Sequence, residues 1–181
     1  MITYNICFIK QGGSLLLLNR ESPSWMGCWN GVGGKLEKNE SPRRSMVREI
    51  AEETNIHESA YHLSYKGLVS WTEDGDHFGG MYLYTADFPE DVEYTTPVKT
   101  SEGILDWKPI EWVLVPENQG IATNLPVIIK HLFEESPYHH HCAYIGGKLS
   151  SVSTETIEAA TEDGERMLQY VKAFQALQLS S

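Results

Sequence analysis

Gly34-Lys35-Leu36-Glu37-Lys38-Asn39-Glu40, resumed after seven residues by Arg48-Glu49-Ile50-Ala51-Glu52-Glu53-Thr54-Asn55-Ile56, is the most informative stretch of the chain. Between its halves, Ser41-Pro42 opens a helix, with Ser as N-cap and Pro at the first helical position. Val47, Ile50 and Ala51 supply apolar positions, and Asn55 ends the helix as the non-glycine residue most at ease at positive φ. On this helix Glu49, Glu52 and Glu53 stand at i, i+3 and i+4, so three carboxylates share one face within one turn. Like charges so close cost an isolated helix a few tenths of a kcal/mol per pair. A cation should therefore offset them. Arg48 contributes, and hard oxygen ligands in this grouping suit Mg²⁺ or Mn²⁺. Three glutamates alone would equally describe a solvated acidic face. The full pattern, G-x5-E-x7-R-E-U-x-E-E-x-N-U with U aliphatic, has a chance of arising at random in this chain on the order of 10⁻⁶, which decides against that plain alternative.

Upstream, Met1 to Lys10 reads as a strand, Gln11-Gly12-Gly13 as a turn and Ser14 to Arg20 as a second, more apolar strand. Glu21 to Gly34 holds Pro23, four glycines, Trp25 and Trp29, and predicts a loop. Downstream, strands are predicted at Tyr61 to Thr72, Gly80 to Asp87 and Ile104 to Val113, separated by turns at Glu73 to Asp76 and Pro89 to Lys99. A helix is expected from Asn124 to Glu134, a hairpin from Tyr138 to Val152 around Gly146-Gly147, and a final amphipathic helix from Thr154 to Leu177. In that last pattern Gly164 interrupts continuity. Alternation on a strand splits His139, His140 and His141 between two faces, so they cannot share one metal, and they are expected at the surface.

The chain has 181 residues, 41% of them hydrophobic and 22% charged, which predicts one ordered globular domain. Lys plus Arg number 14 against 25 Asp plus Glu, a net charge of −11 that disfavours a nucleic acid polymer as partner. A small phosphorylated ligand remains compatible if a divalent cation mediates its binding. The longest aliphatic run, Leu15 to Leu18, is far short of the roughly 20 residues of a membrane span. Met1 to Asn5 has neither the basic region nor the cleavage site of a signal peptide. Cys7, Cys28 and Cys142 are odd in number and widely spaced, so they are expected to pack as small apolar side chains in a reducing cytoplasm.

The segment from Gly34 to Ile56 resembles the Nudix box, the signature of hydrolases that cleave nucleoside diphosphates linked to another group. Asn55 stands where that family usually has Gly, a mild exchange at a left-handed cap. The resemblance implies an α+β fold, the family's α/β/α sandwich with a mixed sheet, over residues 1–136, with residues 137–181 as a hairpin and helix extension packed on the same domain. It implies metal binding by Glu49, Glu52 and Glu53 with the Gly33 carbonyl, and it makes Glu49 or Glu53 the proton acceptor. Gly34, Glu40 and Arg48 take structural roles in the box, the last two as a charge-assisted pair.

Gly27-Cys28-Trp29-Asn30-Gly31-Val32-Gly33-Gly34-Lys35 closely resembles the loop of the animal-type 8-oxo-dGTP diphosphatases. On that likeness Asn30 contacts the base, Arg20 is the basic residue near the strand end, and Lys35 lies beside substrate. An Asn amide donates and accepts at once, which suits a purine edge, although Asn-Gly also commonly bonds its own backbone in a turn. Glu102, in Ser101-Glu102-Gly103 ahead of Trp107, matches an added metal-binding carboxylate. Asn124-Leu125-Pro126 resembles the start of the last helix of the bacterial enzyme MutT, whose matching Asn reads oxidised guanine; here Asn124 also suits an N-cap. The paired Asp residues of the animal-type enzymes have no counterpart, since Glu117, Asn118 and Gln119 are merely polar neighbours. Past the box, Ser70-Trp71-Thr72-Glu73-Asp74 carries neither the Pro marker of ADP-ribose cleavage nor the Tyr marker of dinucleoside polyphosphate cleavage. Trp71 and Phe78 could stack on a base or simply fill the core.

These expectations combine into a cytoplasmic, Mg²⁺- or Mn²⁺-dependent pyrophosphohydrolase of nucleoside triphosphates, 8-oxo-dGTP among them, whose partner is a small nucleotide rather than a membrane. The alternatives are a Nudix hydrolase of ADP-ribose or a nucleotide sugar, and a nucleotide sensor that has lost cleavage. Whether the final helix packs on the core or joins two subunits into a homodimer is left open by the sequence.

Overall fold

In the computed structural model, which describes residues 2–178, a nine-stranded mixed sheet lies between two helical layers. β1 (Tyr4–Gln11) and β2 (Ser14–Arg20) form a hairpin, and β3 (Trp29–Asn30) is a two-residue strand on β2. Helix α1 (Pro42–Thr54) follows, then the long hairpin of β4 (His62–Glu73) and β5 (His77–Asp87). β6 (Val98–Lys99) and β7 (Gly103–Pro109) lead to the single turn α2 (Ile110–Val113) and to α3 (Leu125–Leu132). The chain ends in the hairpin β8 (Tyr138–Ile145) and β9 (Lys148–Thr156), a short 3₁₀ turn and α4 (Gly164–Gln178). Strand order is β6-β7-β2-β1-β5-β4-β8-β9, with β1–β5 and β4–β8 parallel and the other pairs antiparallel.

The aliphatic run Leu15–Leu18 is buried throughout because both faces of β2 are covered. Leu16 and Leu18 join Met46 and Ile50 of α1 and Met167 and Val171 of α4 in one core layer. Leu15 and Leu17 join Val113, Leu125, Ile128, Ile129 and Leu132 from α2 and α3 in the other. The result is the α+β sandwich anticipated from the box. Among the described residues no helix is long and apolar enough to cross a membrane, and the three cysteines are free, with Cys7 and Cys142 buried.

Ser41 caps α1 through its side chain, and Asn55 closes it in the left-handed conformation at φ 62°. Four expectations need correction. The stretch from Glu21 to Gly34 is not wholly loop, since Trp29–Asn30 pairs with Asn19 and Leu18. The strand predicted through Val113 ends at Pro109, beyond which α2 begins. The final helix starts only at Gly164, because the alternating Ser and Thr residues before it extend β9 to Thr156, and the Asp163 carboxylate accepts from the Glu165 and Arg166 amides at 3.0 and 3.1 Å as a helix cap. Lastly, His139, His140 and His141 are buried rather than on the surface, since β8 is not an outer strand but lies between β4 and β9 under α4. Met1, the predicted start of the first strand, lies outside the described residues.

Docking of β8 on β4 depends on Gly67, which sits at a β-bulge with φ 117° opposite Tyr138. A Cβ there would run into the Tyr138 carbonyl oxygen. Only glycine permits both the backbone angle and the approach.

Candidate active site

Helix α1 carries the box carboxylates to the sheet, but not equivalently. Glu49 and Glu53 are each 8% exposed, whereas the Glu52 side chain is 60% exposed and turned to Arg48 at 3.0 Å. Arg48 ties the segment together: its Nε and Nη2 donate to the two Glu40 oxygens at 3.1 and 2.9 Å, and its Nη1 donates to Glu49 and Glu52 at 2.9 and 3.0 Å. The forked bond to Arg48 holds the Glu40 carboxyl below the usual range, and the same pair raises Arg48.

The glycines before the box let the loop run against these acids. Asn5 on β1 anchors it, its Oδ1 accepting from the Gly34 amide at 3.0 Å and its backbone N–H donating to the Gly34 carbonyl at 2.9 Å. Gly33 has φ 148°, and its amide donates to Glu53 Oε2 at 3.2 Å. A Cβ on Gly34 would lie 2.5 Å from Glu49 Oε1, so any larger residue would collide with the carboxylate.

Burial, with the neighbouring Glu102 charge second, pushes the Glu53 carboxyl up to about 8. Its Oε1 is buried without a hydrogen-bond partner among the described residues. Glu49 is also raised, by burial first and against the pull of Arg48. An orphaned carboxylate oxygen facing further carboxylates is a donor set suited to a hard divalent cation. Among the described residues, however, no three His, Cys, Asp or Glu side chains already converge as a cage. Glu52 would have to leave Arg48 to join Glu49 and Glu53.

A cavity of about 740 Å³ opens beside this cluster. Arg20, Asn30, Gly33, Gly34, Lys35, Glu102 and Asn124, chosen from sequence, all line it. Arg20 at the end of β2 lies 4.0 Å from Glu102. Asn30 Oδ1 accepts from the Gly31 amide at 2.9 Å, so its turn bond and its cavity position coexist. β3 clips the approach to α3, with the Trp29 amide donating to Gly120 at 2.8 Å and the Ala122 amide donating to Trp29 at 3.1 Å. This ties Asn30 to the segment bearing Asn124. The Asn124 side chain makes no capping bond among the described residues; its amide points to Cys142 Sγ at 3.8 Å. Trp71 lines the cavity, whereas Phe78 lies on the opposite sheet face, stacked on His141 at 6.2 Å between ring centroids.

Asn5, Trp25, Glu73, Met81 and Tyr144 were not anticipated from sequence and also line the cavity. No local motif marks them: strand pairing brings Asn5, Glu73, Met81 and Tyr144 together, and the loop after β2 adds Trp25.

A sandwich in which one helix presents buried carboxylates beneath a glycine loop, at the mouth of a polar and aromatic cleft, defines a member of the Nudix class. The chain belongs to the NUDIX domain family, whose model matches residues 2–134. It is 33% identical over 107 residues to the uncharacterized Nudix hydrolase YvcI of Bacillus subtilis, covering 56% of this chain and 61% of that protein. It is 40% identical over 57 residues to the CTP pyrophosphohydrolase of Escherichia coli, covering 31% of this chain and 42% of that protein. The chain thus spans less than two thirds of these relatives. The crystal structure of a mutator MutT protein from Bacillus halodurans superposes with a TM-score of 0.68 at 25% identity, covering 84% of this chain and 96% of that one.

Proposed function

We propose that this protein is a cytoplasmic, divalent-cation-dependent nucleoside triphosphate pyrophosphohydrolase. It hydrolyses an NTP or dNTP, with 8-oxo-dGTP as its target, to the monophosphate and pyrophosphate, and so cleanses the nucleotide pool. The observation that carries this reading is the continuity of one cavity from Glu102, Arg20 and Lys35 to the two amides of Asn30 and Asn124. The MutT likeness of the fold and the partial likeness to a CTP pyrophosphohydrolase support it.

Glu49, Glu52, Glu53 and Glu102, with the Gly33 carbonyl, would hold Mg²⁺ or Mn²⁺. When bound, such an ion supplies phosphoryl polarisation and a more acidic water. The chain's own groups do the rest. Glu53, or Glu49 beside it, accepts the proton of the attacking water in its ionised form, the form that a cation held here would favour. Arg20 and Lys35 set positive charge against the phosphates, and Asn30 and Asn124 offer paired donors and acceptors to a base edge. Arg48 fixes the box through Glu40 and has no need to touch substrate.

Pyrophosphate and monophosphate release from 8-oxo-dGTP, the ordinary dNTPs, CTP, ADP-ribose and a dinucleoside polyphosphate, with and without Mg²⁺, tests the reading. Selective metal-dependent cleavage of 8-oxo-dGTP is expected. Cleavage of ADP-ribose instead would overturn the substrate assignment and keep the carboxylate chemistry. Tight nucleotide binding with no turnover would make the protein a sensor.

A further inference from the structure

Tyr144 lies on β8, beyond the family match that ends at residue 134, yet its side chain lines the same cavity as Arg20 and Asn30. Parallel pairing sets Cys142 opposite Trp71 and Tyr144 opposite Glu73. Side chains alternate along a strand, so Trp71, Glu73 and Tyr144 share one sheet face, and all three line the cavity. The floor of the cavity therefore runs from Ile6 on β1 through Met81 on β5 and Trp71 on β4 to Tyr144 on β8. That is three strand spacings, about 14 Å, from the strand that anchors the Gly33–Gly34 loop. Such a span separates a phosphate end from a base end.

Tyr144 is half-buried and its backbone is held in place. Its carbonyl accepts from the Asp74 amide at 3.0 Å, and the Asp74 carboxylate accepts from the Gly146 amide at 2.9 Å, which pins the hairpin tip to the β4–β5 turn. The Thr123 side chain lies beside the phenol, and the Trp25 ring stands 6.5 Å away at 59°. Tyr144 is packed against the core on one side and lines the cavity on the other.

We infer that Tyr144, beside Trp71, forms the wall against which the nucleobase of the substrate packs, so that the C-terminal hairpin completes the base end of the site. The inference rests on the nucleotide reading above. A planar heteroaromatic base is the ligand such a wall recognises, since base–aromatic stacking tolerates any base and depends on the ring.

Binding of GMP and of ribose 5-phosphate, measured by calorimetry in Mg²⁺ with the full chain, isolates what the base contributes without turnover. GMP is expected to bind at least about tenfold more tightly than ribose 5-phosphate. Tyr144→Leu should bring the two affinities together while ribose 5-phosphate binding stays unchanged, and Tyr144→Phe should keep the preference. If Tyr144→Leu retains the preference, or weakens both ligands equally, the ring has no part in base recognition and the proposal falls. Equal wild-type affinities for the two ligands would overturn it as well. Turnover is a separate readout: nucleotide cleavage with no base preference in binding leaves the enzyme reading standing alone, whereas a Tyr144-dependent preference without cleavage leaves the base wall standing alone.

Discussion

Glu53 shows what one residue can be made to do by its surroundings. Its carboxylate sits on the inner side of α1 with one oxygen on the Gly33 amide and the other without a partner among the described residues. Burying a charge in that state is unfavourable, so without a cation the carboxyl keeps its proton up to about pH 8, and ionisation at neutral pH calls for a cation beside it. Glu53→Gln removes the ionisable group and keeps the shape. It is expected to lower kcat about 100-fold or more, while the thermal midpoint in chelator stays level or rises. Near-normal turnover in that variant would refute the carboxylate assignment. Asn30→Ala and Asn124→Ala carry the complementary expectation: ratios of kcat/KM between bases should shift more than the rate on the best base. Unchanged ratios in both would mean that the base is read elsewhere. The acids were legible in sequence because their relation is local, three and four positions apart on one helix. Asn5 was not, because its hold on the Gly33–Gly34 loop joins residues 29 positions apart.

At the scale of elements, the pairing of β8 with β4 creates a buried polar layer. Ser70 Oγ meets His139 Nε2 at 2.7 Å and His141 Nδ1 at 2.8 Å, and His139 Nδ1 meets the Tyr170 hydroxyl of α4 at 2.8 Å. Phe174 sets its ring edgewise on both imidazoles, at 4.5 and 5.1 Å. On the other face His140 Nδ1 meets Thr154 Oγ1 at 3.0 Å. Burial lowers His139 and His140 to about 4, with His141 adding to the first and His131 to the second. Glu155, 3.8 Å from His139, is the acid that would partly compensate a proton there. The unfolded chain takes up these protons near pH 6.5 and the folded chain only near 4, so the stability is whole above 6.5 and drains away between the two. Every tenfold by which folding weakens a proton's binding is worth about 1.4 kcal/mol, which makes the combined loss several kcal/mol. Urea midpoints should therefore fall steeply from pH 7 to 4.5, and His140→Leu should flatten the fall; a flat wild-type profile would contradict it. Alternation along the strand correctly split the three histidines between faces. Their burial was illegible because it depends on β9 and α4 covering β8, contacts that a polar, Ser- and Thr-rich stretch does not announce. The late start of α4 has the same origin: those residues satisfy a strand on β8, and Asp163 rather than Thr154 opens the helix.

Across the whole molecule, the family match at residues 2–134 and the terminal extension share one continuous sheet, with α1 and α4 on one face and α2 and α3 on the other. The extension's helix packs through Met167 and Val171 into the core that also seats α1, so the carboxylate helix and the C-terminal helix are held by common residues. An acidic chain of net charge −11 that in addition buries Glu49 and Glu53 is expected to gain stability when a cation binds them. A ligand that binds only the folded state stabilises it by RT ln(1 + [L]/Kd), about 2.7 kcal/mol at a hundredfold excess over Kd, and in a domain of this size that raises the midpoint roughly 2–4 °C per kcal/mol. Mg²⁺ or Mn²⁺ is therefore expected to raise the melting temperature by several degrees over a chelator-treated sample, without nucleotide present. Glu53→Gln should abolish most of that shift, whereas Asn124→Ala, at the proposed base end of the cavity, should preserve it. Coincident melting curves for the wild type with metal and with chelator would remove the buried carboxylates as a cation site, and with it the account of why so costly a cluster is retained.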